Sequence, residues 1–326
     1  MRTTFPCLLL AVLPLVAGAS GASPAEPVAV VASVSGRVEV SAARGGAAVP
    51  AVFGRALERG DRVTVGKGGG ATLFFGDGSV VTLAERGSVT IGGNAAAPAH
   101  ATALPGEVFT QVSQFVTAGS RQTGLVTLAD MRSDADAGAP LLLAPRNTSV
   151  LDDAPALSWR AVQGATRYRV HFGPSGGAES WTREVAAVSG AELSLAFPAG
   201  ADRLAAGVDY EWEVEALDDK GTLRREGAVV RVLPAEAREG ARANLARIAA
   251  SAGGETSAAA RFLAGSYLCG LGLYDDATRQ FQALAALAPG SPEPHEALGN
   301  LYLKIGASDR AAEEFRRALA LQREAR

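Results

Sequence analysis

The chain is poor in the side chains that most often do chemistry. Its 326 residues include three histidines and two cysteines. His100, His171 and His295 fall in three separate regions, and no cysteine–histidine spacing suited to zinc occurs. A nucleophile elbow is also missing. The run Gly66-Lys67-Gly68-Gly69-Gly70 has the composition of a phosphate cradle, but it precedes a strand pattern and not a helix N-terminus. Basic excess is lacking too: 31 Lys and Arg against 34 Asp and Glu leave a formal charge of −3, which gives no bulk attraction to nucleic acid or anionic lipid. Only Lys67, Lys220 and Lys304 are lysine, a bias of composition and not a binding signal. Past the N-terminus no apolar run reaches the length of a bilayer span, so no stable membrane span is expected. These shortages argue against an enzyme and assign no catalytic, cofactor or metal residue.

What is present supports several cores, since 48% of the residues are hydrophobic. The first 22 residues have the parts of a signal peptide: Arg2, an apolar run from Leu8 to Val16, and small residues Ala17-Gly18-Ala19 or Ser20-Gly21-Ala22. Cleavage is expected to leave a chain beginning between Ser20 and Glu26, in the periplasm or secreted. Cys7 precedes the apolar core, the wrong place for a lipid-modified cysteine. Removal of the leader leaves Cys269 alone, so the fold must hold by burial.

Residues 27–93 alternate apolar and polar residues between glycine turns, which predicts an all-β domain. Strands are expected at Val28 to Val34, Val38 to Ser41, Arg62 to Val65, Ala71 to Phe75, Ser79 to Leu83 and Ser88 to Ile91. Asp61 and Asp77 stand beside turn glycines, where Asp serves backbone hydrogen bonding more often than a metal or sugar. The pattern Ser35-Gly36-Arg37-Val38-Glu39-Val40, Leu57 to Asp61, and Gly70-Ala71-Thr72-Leu73-Phe74-Phe75 with Asp77-Gly78-Ser79 resembles the FecR-type domain of bacterial envelope proteins. In stand-alone form that resemblance implies a binding or assembly module; direct sigma-factor control would need a cytoplasmic segment and a membrane span. Residues 94–139, rich in Ala, Gly, Ser, Thr and Asp around an apolar patch from Val108 to Val116, read as domain tail and linker. His100 there has no assigned role.

Residues 140–234 alternate again, which predicts a β-sandwich. Tyr168, Val170 and Phe172 face inward on one strand and Tyr210, Trp212 and Val214 on another. Arg167, Arg169 and His171 then face outward on the first, and Asp209, Glu211, Glu213 and Glu215 on the second. If the strands are antiparallel neighbours, opposite charges form a cross-strand ladder rather than a calcium site, whose oxygens converge from loops. Trp159 before the Tyr168 strand, with Leu204, Gly207, Tyr210 and Trp212 later, resembles a fibronectin type III or immunoglobulin-like domain. Trp159 and Tyr210 hold core positions in the resembled fold. Trp181 alone is expected to be exposed, a thin basis for sugar binding.

Residues 235–326 are helical. A first amphipathic helix, 235–252, carries Ala241, Leu245, Ile248, Ala249 and Ala252 on one stripe. Beyond it Gly265, Leu271, Gly272, Asp275, Ala277, Phe281 and Leu287 recur as Gly299, Ile305, Gly306, Asp309, Ala311, Phe315 and Leu321, a period of 34 residues. Helices are expected to start at Thr256, Asp275, Ser291 and Asp309, with Phe281 and Phe315 as wedges between paired helices. The run Leu298-Gly299-Asn300-Leu301-Tyr302 followed by Ala311, Phe315 and Ala318 resembles a tetratricopeptide repeat. The resemblance implies a concave groove for a partner, lined by Phe262, Ser266 and Cys269 on one helix and Glu296, Asn300, Leu303 and Lys304 on the next. Asn300 and Lys304 suit a peptide backbone or carboxylate, although a full basic clamp is absent. Two pairs and one helix fall short of the roughly three repeats usually needed. Self-association through the C-terminal helices, or a partner, is therefore expected, with Leu319 and Leu321 as candidates for an uncovered face. The reading is a multidomain, non-enzymatic adaptor or scaffold for envelope proteins or a cell-wall polymer. An envelope sensing component, or a polysaccharide-binding module, is the alternative.

Overall fold

The computed structural model describes residues 27–92, 103–122, 141–188, 190 and 192–324. The expected signal peptide, His100 and much of the expected linker lie outside the described residues.

The first unit is a pair of four-stranded sheets. Its strands are β1 (Ala29–Ser35), β2 (Val38–Ser41), β3 (Val49–Pro50), β4 (Ala56–Leu57), β5 (Arg62–Val65), β6 (Gly70–Phe75), β7 (Val80–Leu83) and β8 (Ser88–Thr90). They are ordered β4-β1-β6-β7 and β3-β2-β5-β8. Val31, Leu73 and Phe75 meet Val40, Val63 and Ile91 in the core between the sheets. The alternate residues Val30, Ala32 and Phe74 belong to a second core, shared with the helices. β1 and β6 are thus buried on both faces, as their continuous apolar runs require. Asp61 and Asp77 serve turns: Asp61 accepts from the backbone N–H of Ala43 (3.2 Å) and Glu58 (3.0 Å), and Asp77 accepts from that of Ser79 (2.9 Å).

The stretch expected to be linker contains a helix, α1 (Gly106–Gln122). Val108, Val112 and Val116 are spaced by one turn, so they share one face, and all three are buried. Valine and threonine form helices weakly, which hid the element in the sequence. Here the valines pack against β-sheet apolar surface, and the Thr110 and Thr117 hydroxyls donate back to the carbonyls of Gly106 and Ser113. Tertiary burial outweighs local propensity.

The second unit is a sandwich of β9 (Leu142–Ala144), β10 (Thr148–Val150), β11 (Leu157–Arg160), β12 (Arg167–Pro174), β13 (Trp181–Ala186), β14 (Glu192–Leu195), β15 (Asp209–Leu217) and β16 (Thr222–Val232). One sheet runs β10-β16-β15-β12-β13 and the other β14-β11-β9. Trp159, Tyr168, Phe172 and Trp212 fill the core, and Trp212 Nε1 donates to the Pro145 carbonyl at 2.8 Å. β12 and β15 are antiparallel neighbours with Arg169 opposite Glu215 and His171 opposite Glu213. Trp181 is not a free platform: it is half-buried and stacks on Phe172 at 5.1 Å with 4° between the rings.

Five further helices follow: α2 (Ala235–Ser251), α3 (Ala258–Gly270), α4 (Tyr274–Leu287), α5 (Glu293–Lys304) and α6 (Ser308–Glu324). The cap of α3 is Ser257, one residue after the expected start, and its hydroxyl accepts from the Ala260 N–H at 3.0 Å. At α5 the cap position is Pro292, one residue after the expected start at Ser291, and no side chain caps the first turn. On α2 the buried stripe contains Asn244, which donates to the Tyr267 hydroxyl at 2.9 Å and to the Glu107 carboxylate. One amide thereby ties α2 to α3 and α1. The expected helix pairs form, with Gly265 against the Phe281 ring and Gly299 against the Phe315 ring.

Candidate functional site: a cleft between the first β unit and the helices

The predicted groove residues separate into two sets. Phe262, Ser266 and Cys269 are buried, at 4%, 0% and 8% exposure. They were expected to line an open surface, but the chain's own α1 packs along α3 there, and Gln111 fills the space beside Gly270. Phe262 also meets Phe53 from the β unit at 6.2 Å, while Phe115 of α1 stacks on Phe281 at 5.3 Å. Burial pushes the Cys269 thiol up to about 11, against a smaller opposing pull from Lys304, so its thiolate is scarce. Leu303 is half-buried against the helical core, and Lys304 extends over the Tyr274 ring at 5.9 Å.

Phe262 still borders the space next to α1, and Glu296 and Asn300 remain on its open wall. With Glu293 these two form the α5 side of a cleft of about 530 Å³. Its opposite side is the segment Val52 to Ala56, leading into β4, and its apolar lining includes Phe115, Val116, Phe281 and Leu284. The sequence did not show this cleft because one wall, Val52 to Ala56, lies more than 200 positions from the α5 wall. Burial raises the Glu293 carboxyl to about 7; its own backbone N–H opposes the shift and the charge on Glu296 adds to it. Burial also raises Glu296, whose carboxylate accepts from Gln322 Nε2 at 2.5 Å. Arg55 faces the same space, and its Nε is buried with no acceptor among the described residues.

The turns within the helix pairs are braced by the sandwich. Thr148 Oγ1 and Ser149 N donate to the Gly272 carbonyl at 3.1 and 3.0 Å, in the corner of the first helix pair. Arg146 Nε donates to the Ile305 carbonyl at 2.8 Å, in the equivalent corner of the second. Arg160 pairs with Asp309 at 2.6 Å and Arg310 with Glu192 at 2.7 Å. Arg146, Thr148 and Ser149 thus tie one short stretch of the sandwich to the turns of both helix pairs.

His171, Glu213 and Glu215 converge, with one ligand atom from each lying within 4.8 Å of the others. Side-chain cations already occupy this position: Arg225 pairs with Glu213 at 2.6 Å and Arg169 with Glu215 at 3.3 Å. The expected ladder is therefore wider than β12 and β15, because β16 contributes Arg225 and Arg231 to the acidic row. No helix among the described residues is long and apolar enough to cross a membrane. Leu319 is 39% exposed on α6, and Leu321 is half-buried.

No family model matches the chain, and no curated protein matches it. Among solved structures it is similar to the fn3 domain of human collagen alpha-1(XX) chain, at 26% identity and a TM-score of 0.22, over 30% of this chain and 88% of that one.

Proposed function

We propose that the chain is a non-enzymatic adaptor or scaffold of the bacterial cell envelope, a periplasmic or secreted protein in which a FecR-like domain, a fibronectin type III-like sandwich and a short tetratricopeptide module act as one binding body. The observation that carries this reading is the cleft. Its β wall and its α5 wall come from different units, and its lining combines aromatic surface with the Glu293 and Glu296 carboxyls and an Arg55 whose Nε has no acceptor among the described residues, the composition of a binding site. An envelope sensing component would receive its ligand at the same place, since the FecR-like unit supplies one wall. The stacking of Trp181 on Phe172 gives the polysaccharide reading less support.

A photo-crosslinking amino acid at position 300, with position 317 on the exposed side of α6 as control, tests the reading in source cells. Discrete adducts at 300 and none at 317 are expected. Equal labelling at both positions, or none at 300, would overturn it.

A further inference from the structure

Resting on the reading of the cleft as a partner site, we infer that its occupant is an extended polypeptide segment alternating apolar and basic side chains, laid between β4 and α5. Three features of the cleft lead there. The first is the wall at Arg55 and Ala56. β4 is the edge strand of its sheet, paired with β1 on one side only. An unpaired edge offers main-chain hydrogen bonds to another extended chain. The Arg55 side chain lines the cleft beside it, and a guanidinium suits a main-chain carbonyl.

The second feature is the acidic wall. Glu293 and Glu296 are three positions apart on α5, hence on one face. Neither has a cationic partner among the described residues, although Asp276, Asp309 and Glu314 nearby each pair with an Arg or His. A partly desolvated carboxylate without a cation is costly, and an arriving Lys or Arg removes that cost. An acidic or phosphorylated segment would bring like charge against both.

The third feature is the floor. Phe115 is half-buried and presents apolar surface between the two walls, over the fully buried Phe281 and Leu284. In an extended segment successive side chains point to opposite faces, so alternate residues meet this floor while those between them meet Glu293 and Glu296. Apolar and basic residues in alternation satisfy both surfaces together.

Fluorescence anisotropy with the full chain tests this, using dye-labelled, acetylated and amidated Leu-Lys-Leu-Lys-Leu and the matching peptides with Gln or Glu in place of Lys. The Lys peptide is expected to bind about tenfold or more tighter than the Gln peptide. That margin should shrink with salt and disappear in the double variant Glu293→Gln, Glu296→Gln, shown by circular dichroism to be folded. Arg55→Ala should weaken Lys and Gln peptides alike, because it acts on the main chain. Asn300→Trp, which fills the cleft, should abolish all binding. If Gln and Lys peptides bind equally and Asn300→Trp removes both, the charge inference is overturned while the cleft remains a partner site. If no peptide binds, or binding survives Asn300→Trp, the cleft reading fails and the inference with it.

Discussion

Alanine placed at the two equivalent glycines of the helical repeat should give unequal results. A helix-interior Gly→Ala exchange ordinarily stabilises by about 1 kcal/mol through lost backbone freedom in the unfolded chain. At Gly265 the new Cβ would sit 2.8 Å from the Phe281 ring, and at Gly299 it would sit 2.7 Å from the Phe315 ring. Phe281 is fully buried, with Phe115 stacked on it at 5.3 Å and Phe262 at 6.4 Å, so it cannot yield without moving α1. Phe315 is only partly buried and can turn toward solvent. Overpacking of a tight site costs about 1–3 kcal/mol. Gly265→Ala should therefore lose up to about 2 kcal/mol net, and Gly299→Ala, where the ring can yield, should be neutral or gain up to about 1 kcal/mol. Urea denaturation followed by far-UV circular dichroism measures both. A Gly265→Ala protein as stable as Gly299→Ala would refute the claim that α1 locks the first repeat.

Three further outcomes follow from the same contacts. Cys269, with its thiol near 11, should have about one thiolate in a thousand at pH 8; mass spectrometry should find it unlabelled by iodoacetamide until urea is added, and fast native labelling would contradict its burial. Glu213→Arg should lower the denaturation midpoint, and Arg225→Glu in the same chain should restore more of it than Arg169→Glu, because Glu213 pairs with Arg225 at 2.6 Å; the reverse ranking would refute that pairing. Glu293, raised to about 7 by burial and by the charge on Glu296, binds a proton more readily folded than unfolded. Its favourable contribution is therefore complete below about pH 4.3 and fades as pH rises through 7, so Glu293→Gln should be more stable than the parent at pH 8 and no more stable near pH 4, by denaturation at each pH.

Much of the fold was legible wherever one face of an element is buried. The six expected strands of the first unit appear within a residue or two of their predicted bounds, and β12 and β15 pair as the inward Tyr168, Val170 and Trp212 require. The helix pairs follow from the 34-residue spacing of Gly265 with Gly299 and Phe281 with Phe315. What stayed hidden depends on distant chain. β3 and β4 are two residues each, too short for a period to show. α1 looks like linker because its valines form a helix only when sheet and helices bury them. The groove was expected on α3 and α5, but nothing local says that residues 106–122 pack over its α3 half. Glu293, an acid in the first turn of its helix, and Arg55 give no sign of each other, since their meeting across a cleft has no signature in either segment.

The shortage of repeats raised the expectation of an external partner, and the structure supplies an internal one for part of the surface. Phe262, Leu263 and Tyr267 of α3 share one apolar core with Val108, Val112 and Val116 of α1 and with Val30, Ala32 and Phe74 of the sheet. The helices are thus covered on their inner side by two elements from the first unit, while Arg146 and Thr148 satisfy corner groups on the outer side. Stability should be shared, not modular. A fragment spanning residues 235–326 would expose Phe262, Phe281 and Cys269 to water; burying a Phe side chain contributes about 1.5–3 kcal/mol, so losing cover at these positions removes a large part of a stability of about 5–15 kcal/mol. The fragment should therefore melt without cooperativity or associate, whereas a chain of residues 27–326 should melt in one transition. Calorimetry distinguishes the two. A monomeric fragment with a sharp transition matching that of the longer chain would show that α3 does not need α1, and the assignment of α1 as the filled half of the groove would lose its energetic basis.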